Sequence, residues 1–236
     1  MEKVDRERYI LELATPLLSR LYGEFEIISE QLDRPDAAII IKKSNIKIGI
    51  EITSIDKKKD QEYLNNKKIA SEVKGQQVEN LLSDGSYSSR PIKKVSISFP
   101  CDYIFEGVVK KVEKYRSYSE SGEYGEMLVL AFSSYLSVDH ETFNDYHKPW
   151  TNFLLSEQVF PFDKVIFVDE RTRKAVVIYD KASPLQETPL VDSEKEAGIT
   201  VVQGSILPVG KTVNMAGLFT EEPHVSPKKK SKKRRR

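Results

Sequence analysis

The segment Lys47-Ile48-Gly49-Ile50-Glu51-Ile52-Thr53 constrains this chain more than any other. From residue 46 to 55, Ile46, Ile48, Ile50 and Ile52 alternate with Lys47, Gly49, Glu51 and Thr53. A period of two is that of a strand, which sends successive side chains to opposite faces. Upstream, residues 37–42 are short, apolar and rich in isoleucine, as a buried strand is. Ser44-Asn45 between them reads as a turn, so the two strands form an antiparallel pair. Glu51 lies inside an otherwise apolar strand, and a buried unpaired carboxylate is costly. A divalent cation is one answer. Hairpin pairing would bring Asp36, at the mouth of the first strand, beside Glu51. Two carboxylates, helped by a backbone carbonyl and waters, are the usual protein share of a magnesium site.

The flanking chain supplies helices and more strands. Residues 5–21 carry Tyr9, Ile10, Leu13, Leu17 and Leu21 at helical spacing, with Pro16 expected to kink or split the helix. Residues 25–32 read as a first strand. Residues 60–82 read as one polar helix, 94–99 as a strand, 103–118 as a helix and 127–135 as a strand. Residues 163–169 and 175–179 read as a hairpin. Beyond Asp180 proline and glycine become frequent and periodicity fades. The expected fold class is α/β, a mixed central sheet flanked by helices, with additional strands toward the C-terminus. The expected organisation is a domain over 1–180, a loosely structured extension over 181–225 and a disordered basic tail over 226–236.

Charge is unevenly placed. The 236 residues carry 37 basic and 36 acidic side chains, a net of +1. The tail 228–236 holds eight of the basic residues, which leaves 29 basic against 36 acidic in the body, about −7. Such a cationic block suits contact with phosphate backbones or a targeting role. One cysteine, Cys101, rules out an internal disulfide and a cysteine-based zinc cluster. Three histidines leave little for a histidine metal site, so a bound metal would need oxygen ligands. No window approaches the ~20 apolar residues of a membrane span. Residues 1–8 lack an apolar signal core, and the expectation is a protein that is not secreted: cytoplasmic or nucleoid-associated in a bacterial or phage setting, nuclear in a eukaryotic one.

A helix with a glutamate, then Pro35-Asp36, a strand, a turn and a strand carrying Glu51-Ile52-Thr53 resembles the core of the PD-(D/E)XK nuclease superfamily. The resemblance covers residues 5–99 in the order αβββαβ. The form Arg34-Pro35-Asp36 followed by Gly49-Ile50-Glu51-Ile52-Thr53 looks like a bacterial and phage branch. It implies a restriction-endonuclease-like core and a metal-dependent nuclease, an endonuclease or exonuclease hydrolysing phosphodiester bonds with Mg2+ or Mn2+. Asp36 and Glu51 would be the metal ligands, with the carbonyl of Ile52 as another. The helix-1 glutamate of the family maps to Glu12, with Glu7 second.

Thr53 stands where the family has lysine. Lysine there places a cation beside the attacking water and the phosphate, which threonine cannot do. Three accounts compete. A lysine has moved, with Lys47 on the strand face of Glu51 and Lys67 and Lys68 on the following helix as candidates. The metal suffices without it. Or catalysis is lost and the fold retained. Gln61 is a lesser candidate for contacting water or phosphate.

Other motifs carry less. His140, Glu141, Asp145, Tyr146 and His147 read as an aromatic loop packed on the core. Cys101, without an evident base partner, reads as a small apolar filler. Residues 204–212 end in Gly-Lys-Thr but have the wrong spacing for a phosphate loop. Arg171, Arg173 and Lys174 read either as the lining of a nucleic-acid groove or as a solvated hairpin tip. The expected partner is nucleic acid, DNA in preference to RNA, with no membrane and a possible homodimer. The alternative is a catalytically inactive adaptor on the same scaffold, binding nucleic acid or protein.

Overall fold

The computed structural model describes residues 3–28, 35–86, 88, 90–120, 122–183, 187–204 and 215–226. The chain divides into two units, both discontinuous in sequence. The first comprises Met1–Asp56 and Phe99–Ala197, the second Lys57–Ser98 and Gly198–Arg236. The boundary expected at residue 180 is therefore replaced by an insertion at 57–98 that joins a C-terminal segment.

The first unit is built on a six-stranded mixed sheet. Its strands are β1 (Phe25–Ile27), β2 (Ala37–Ile41), β3 (Lys47–Ser54), β5 (Glu126–Ser133), β6 (Lys164–Asp169) and β7 (Lys174–Asp180), in that spatial order. β2 and β3 are antiparallel, with Ala37 opposite Ile50 and Ile39 opposite Ile48. Asn45 turns between them with φ 55°. β3, β5 and β6 run parallel, and β6 and β7 form the antiparallel hairpin expected from sequence. β5 is buried almost end to end, which is why it reads as a continuous apolar run.

Helix α1 (Lys3–Tyr22) is a single element that runs through Pro16. Its residues Ile10, Leu11, Leu13, Ala14 and Leu18 pack on the sheet face formed by Ile48, Ile50, Ile52, Leu128, Leu130 and Phe132. Period two sends Gly49, Glu51 and Thr53 to the other face. That face is covered by α4 (Tyr103–Val108), a 3-10 turn (Val109–Lys111), α5 (Val112–Ser119) and α6 (Lys148–Glu157). Two positions show how closely these elements approach. A Cβ on Gly49 would strike the Met127 side chain, and a Cβ on Gly107 would lie 2.9 Å from the Ile55 Cα.

The second unit holds α2 (Lys58–Asn65), α3 (Lys67–Asp84), α7 (Met215–Thr220) and a two-stranded antiparallel sheet of β4 (Lys93–Ser98) and β8 (Gly198–Gln203). Lysines cap its helix ends. Lys93 Nζ donates to the carbonyls of Leu64 and Asn66 at the end of α2, and Lys94 Nζ to those of Phe219 and Glu221 at the end of α7.

Several expectations change. The strand expected at 94–99 leaves the main sheet and pairs with β8, from a region expected to be loosely structured. The helix expected at 60–82 is two helices broken at Asn66, with Val78 and Leu82 exposed. Ile46 precedes its strand and is exposed. The aromatic loop at 140–147 is instead a π-helical turn (Phe143–His147) leading into α6, with His147 wholly buried. Arg34, the end of the strand expected at 25–32, most of the Gly-Lys-Thr segment and the basic tail lie outside the described residues.

Candidate active site

The β2–β3 register sets Ala37 opposite Ile50, and one further step sets Asp36 opposite Glu51 on the face turned away from α1. Both side chains are buried, Asp36 at 2% exposure and Glu51 at 0%. The Asp36 Oδ2 accepts a 2.8 Å hydrogen bond from the Ile52 backbone N–H, which locks the carboxylate against the edge of β3. A residue in an extended strand points its N–H and C=O to the same side, so the Ile52 carbonyl faces Asp36 as well.

The cations come from the crossover helices. Lys111 Nζ lies 2.6 Å from Glu51 Oε2 and 3.5 Å from Asp36 Oδ2, so one ammonium bridges both carboxylates. Lys114 Nζ lies 3.2 Å from Glu51 Oε2 and keeps half its side chain in solvent. The Tyr118 hydroxyl donates to Glu51 Oε1 at 2.5 Å. Lys111, Lys114 and Tyr118 are spaced three and four apart, which puts them on one helical face. Two carboxylates thus meet two ammoniums, and the cluster is neutral as it stands. That balance answers the cost of burying Glu51 among isoleucines.

Of the residues expected at the site, Asp36, Glu51 and Ile52 come together. Lys47 does not: its Nζ is paired with Glu123 at 2.7 Å near the start of β3, and that carboxylate raises the Lys47 pKa. Glu12 is exposed on α1, whose buried side packs on the opposite face of the sheet from Glu51. Lys67 and Lys68 open α3 and Gln61 lies in α2, all in the second unit. Thr53 shares the Glu51 face of β3, two residues along. Lys111, Lys114 and Tyr118 were missed from sequence. Their signal was the Lys-x-x-Lys-x-x-x-Tyr spacing in a helix, which is also that of a solvated stripe.

A second buried carboxylate lies beyond the end of β3. Asp56 accepts from Ser133 Oγ at 2.5 Å, from the Tyr103 hydroxyl at 3.1 Å and from the Ser134 N–H at 2.8 Å. These bonds satisfy it locally and tie β3 to β5.

The groups at the carboxylate pair able to ligate a metal are oxygens, the donors that magnesium and manganese take, with the Lys111 and Lys114 ammoniums beside them. Among the described residues there is no group of three or more His, Cys, Asp or Glu side chains fit to hold a metal ion. The donor set therefore suits a cation that keeps most of its waters. No helix among the described residues is long and apolar enough to cross a membrane. No family model, curated protein or solved structure matches the chain.

Proposed function

We propose that the first unit is a metal-dependent nuclease domain that hydrolyses phosphodiester bonds, of DNA in preference to RNA. The observation that carries this reading is the Asp36–Glu51 pair bridged by Lys111. The order α1, β1, β2, β3, crossover helices, then parallel β5 supports a restriction-endonuclease-like core, with the second unit inserted ahead of the crossover.

Asp36, Glu51 and the Ile52 carbonyl would hold the magnesium or manganese. When bound, that ion activates water and stabilises charge on the phosphate under attack. Lys111 supplies the cation that Thr53 cannot, and places it against both carboxylates. Tyr118 orients Glu51, while Lys114, half in solvent, is able to meet a phosphate oxygen. Cutting both strands with one such site per chain calls for two copies.

The test is cleavage of labelled single- and double-stranded DNA and RNA with magnesium, manganese or EDTA. Metal-dependent cutting is expected, lost in Asp36→Asn and in Glu51→Gln with the fold intact. An unchanged rate in either variant sinks the assignment.

One observation favours a second reading, a non-catalytic adaptor on the same scaffold. Both Glu51 oxygens are already engaged by two ammoniums and a phenol. A cluster satisfied in this way holds the sheet to its helices without any metal. No magnesium binding at millimolar concentration, with no cutting of any substrate, favours this alternative.

A further inference from the structure

A cavity of about 370 Å³ opens in the second unit beside the break between α2 and α3. Lys67, Ser71 and Lys74 line it from one face of α3, and Lys93 and Gln203, partners in the β4–β8 register, line it from the sheet. Its lining holds three lysines, polar amides and a hydroxyl, and no acidic side chain among the described residues.

Two independent features of this cavity call for an anion. The first is Lys93, whose residue is 1% exposed. Its ammonium donates to two backbone carbonyls but makes no ion pair among the described residues. A buried cation without a counter-charge is unfavourable, and its neighbours among the described residues, these two carbonyls and the Tyr63 ring 5.8 Å away, carry no negative charge. Burial pushes the Lys93 pKa down, as that imbalance requires. The second is the start of α3. Lys67 and Lys68 occupy the first two positions of an 18-residue helix, with no acidic residue in its first turn. Cations there oppose the helix dipole, whereas an anion is stabilised by it and by the free N–H groups of the turn.

Charge over the whole chain follows the same division. The residue ranges of the second unit contain 18 basic and 7 acidic residues, a net of +11, against 19 and 29 in the first, a net of −10. Without residues 227–236 the second unit is still +3.

We propose that this cavity is a phosphate-binding site, held by Lys67, Lys74 and Lys93 with the first turn of α3. The ligand is a phosphate group, either one in a nucleic-acid backbone or a free phosphate. The site stands independently of the reaction proposed for Asp36 and Glu51.

The test titrates the full chain with inorganic phosphate, and separately with a short single-stranded oligonucleotide, followed by amide NMR in about 150 mM salt to screen loose surface contacts. Phosphate is expected to shift the amides of residues 67–71 and of Gln203. Lys67→Ala/Lys74→Ala, two exposed side chains whose loss leaves the fold intact, is expected to weaken phosphate binding about tenfold. Lys58→Ala/Lys59→Ala removes the same charge from the same unit outside the cavity and should change it less than twofold. A parallel loss of oligonucleotide affinity in the first variant identifies a backbone phosphate. Loss for inorganic phosphate alone identifies a free one. Equal effects of the two double variants, or no shift at the cavity amides, overturns the proposal.

Discussion

Lys111 lies 60 residues from Glu51 in sequence, and its ammonium nonetheless sits 2.6 Å from the Glu51 carboxylate. The contact joins the middle of β3 to the crossover that leads into β5. It also reaches Asp36, so three charges are held at one point of the sheet.

Removing one member of that cluster should be costly, because the other is left buried and charged. Lys111→Met is expected to destabilise the first unit by on the order of 3 kcal/mol. Glu51→Leu/Lys111→Met should recover part of that loss, since Lys114 is able to turn to solvent while Asp36 keeps the Ile52 N–H but loses its ammonium. Urea denaturation of the two single variants and the double variant reads the coupling directly. Additive losses would show that the pair is energetically independent.

An ammonium and a divalent cation cannot both be held closely by the same two carboxylates without repulsion. Lys111→Met is therefore expected to bind magnesium several-fold more tightly than the unsubstituted chain while losing cleavage by about 100-fold or more. Magnesium-dependent shifts in melting temperature, measured beside the cleavage assay, separate the two effects. Weaker magnesium binding in this variant would count against a shared site.

His147 should make the first unit sensitive to acid. Its ring is wholly buried against Phe99 and Tyr146, and neither nitrogen has a hydrogen-bond partner among the described residues. Burial pushes its pKa down to about 4, with His140 and Lys195 adding to the effect. The unfolded chain therefore binds a proton that the folded one refuses between about 6.5 and 4. Stability is full above that window and falls through it as pH drops, by on the order of 3 kcal/mol for this residue. His147→Phe should flatten the profile by that amount in denaturation curves between those pH values. An unaltered slope would assign the acid sensitivity to other groups.

The two close approaches of glycine should differ in kind. Gly49→Ala meets the flexible Met127 side chain, and Met127→Ala should relieve the strain. Gly107→Ala meets the Ile55 backbone, which cannot move aside. The second substitution is expected to be the more damaging, by about 1–3 kcal/mol or more, with no rescue from trimming Ile55 to alanine. Melting temperatures of the single and double variants test this.

What the sequence determined by itself was local. Isoleucine alternation and the turn signal at Ser44-Asn45 were enough to pair β2 with β3, and that register alone brings Asp36 to Glu51. The β6–β7 hairpin was legible for the same reason, because a short antiparallel link has strong turn and alternation signals. What only the tertiary structure decided were the long-range partners. β4 and β8 each look like any half-buried strand, and nothing local says that Val95 pairs with Val201 instead of joining the main sheet. Parallel pairing of β3 with β5 depends on a crossover whose length the strands do not encode. The lysines that neutralise Glu51 sit on that crossover, so their role exists only once the chain has come back across the sheet. A lysine stripe on a helix is satisfied equally well by water. Which it meets is settled by the packing of α4 and α5, where Gly107 lets the helix close on β3.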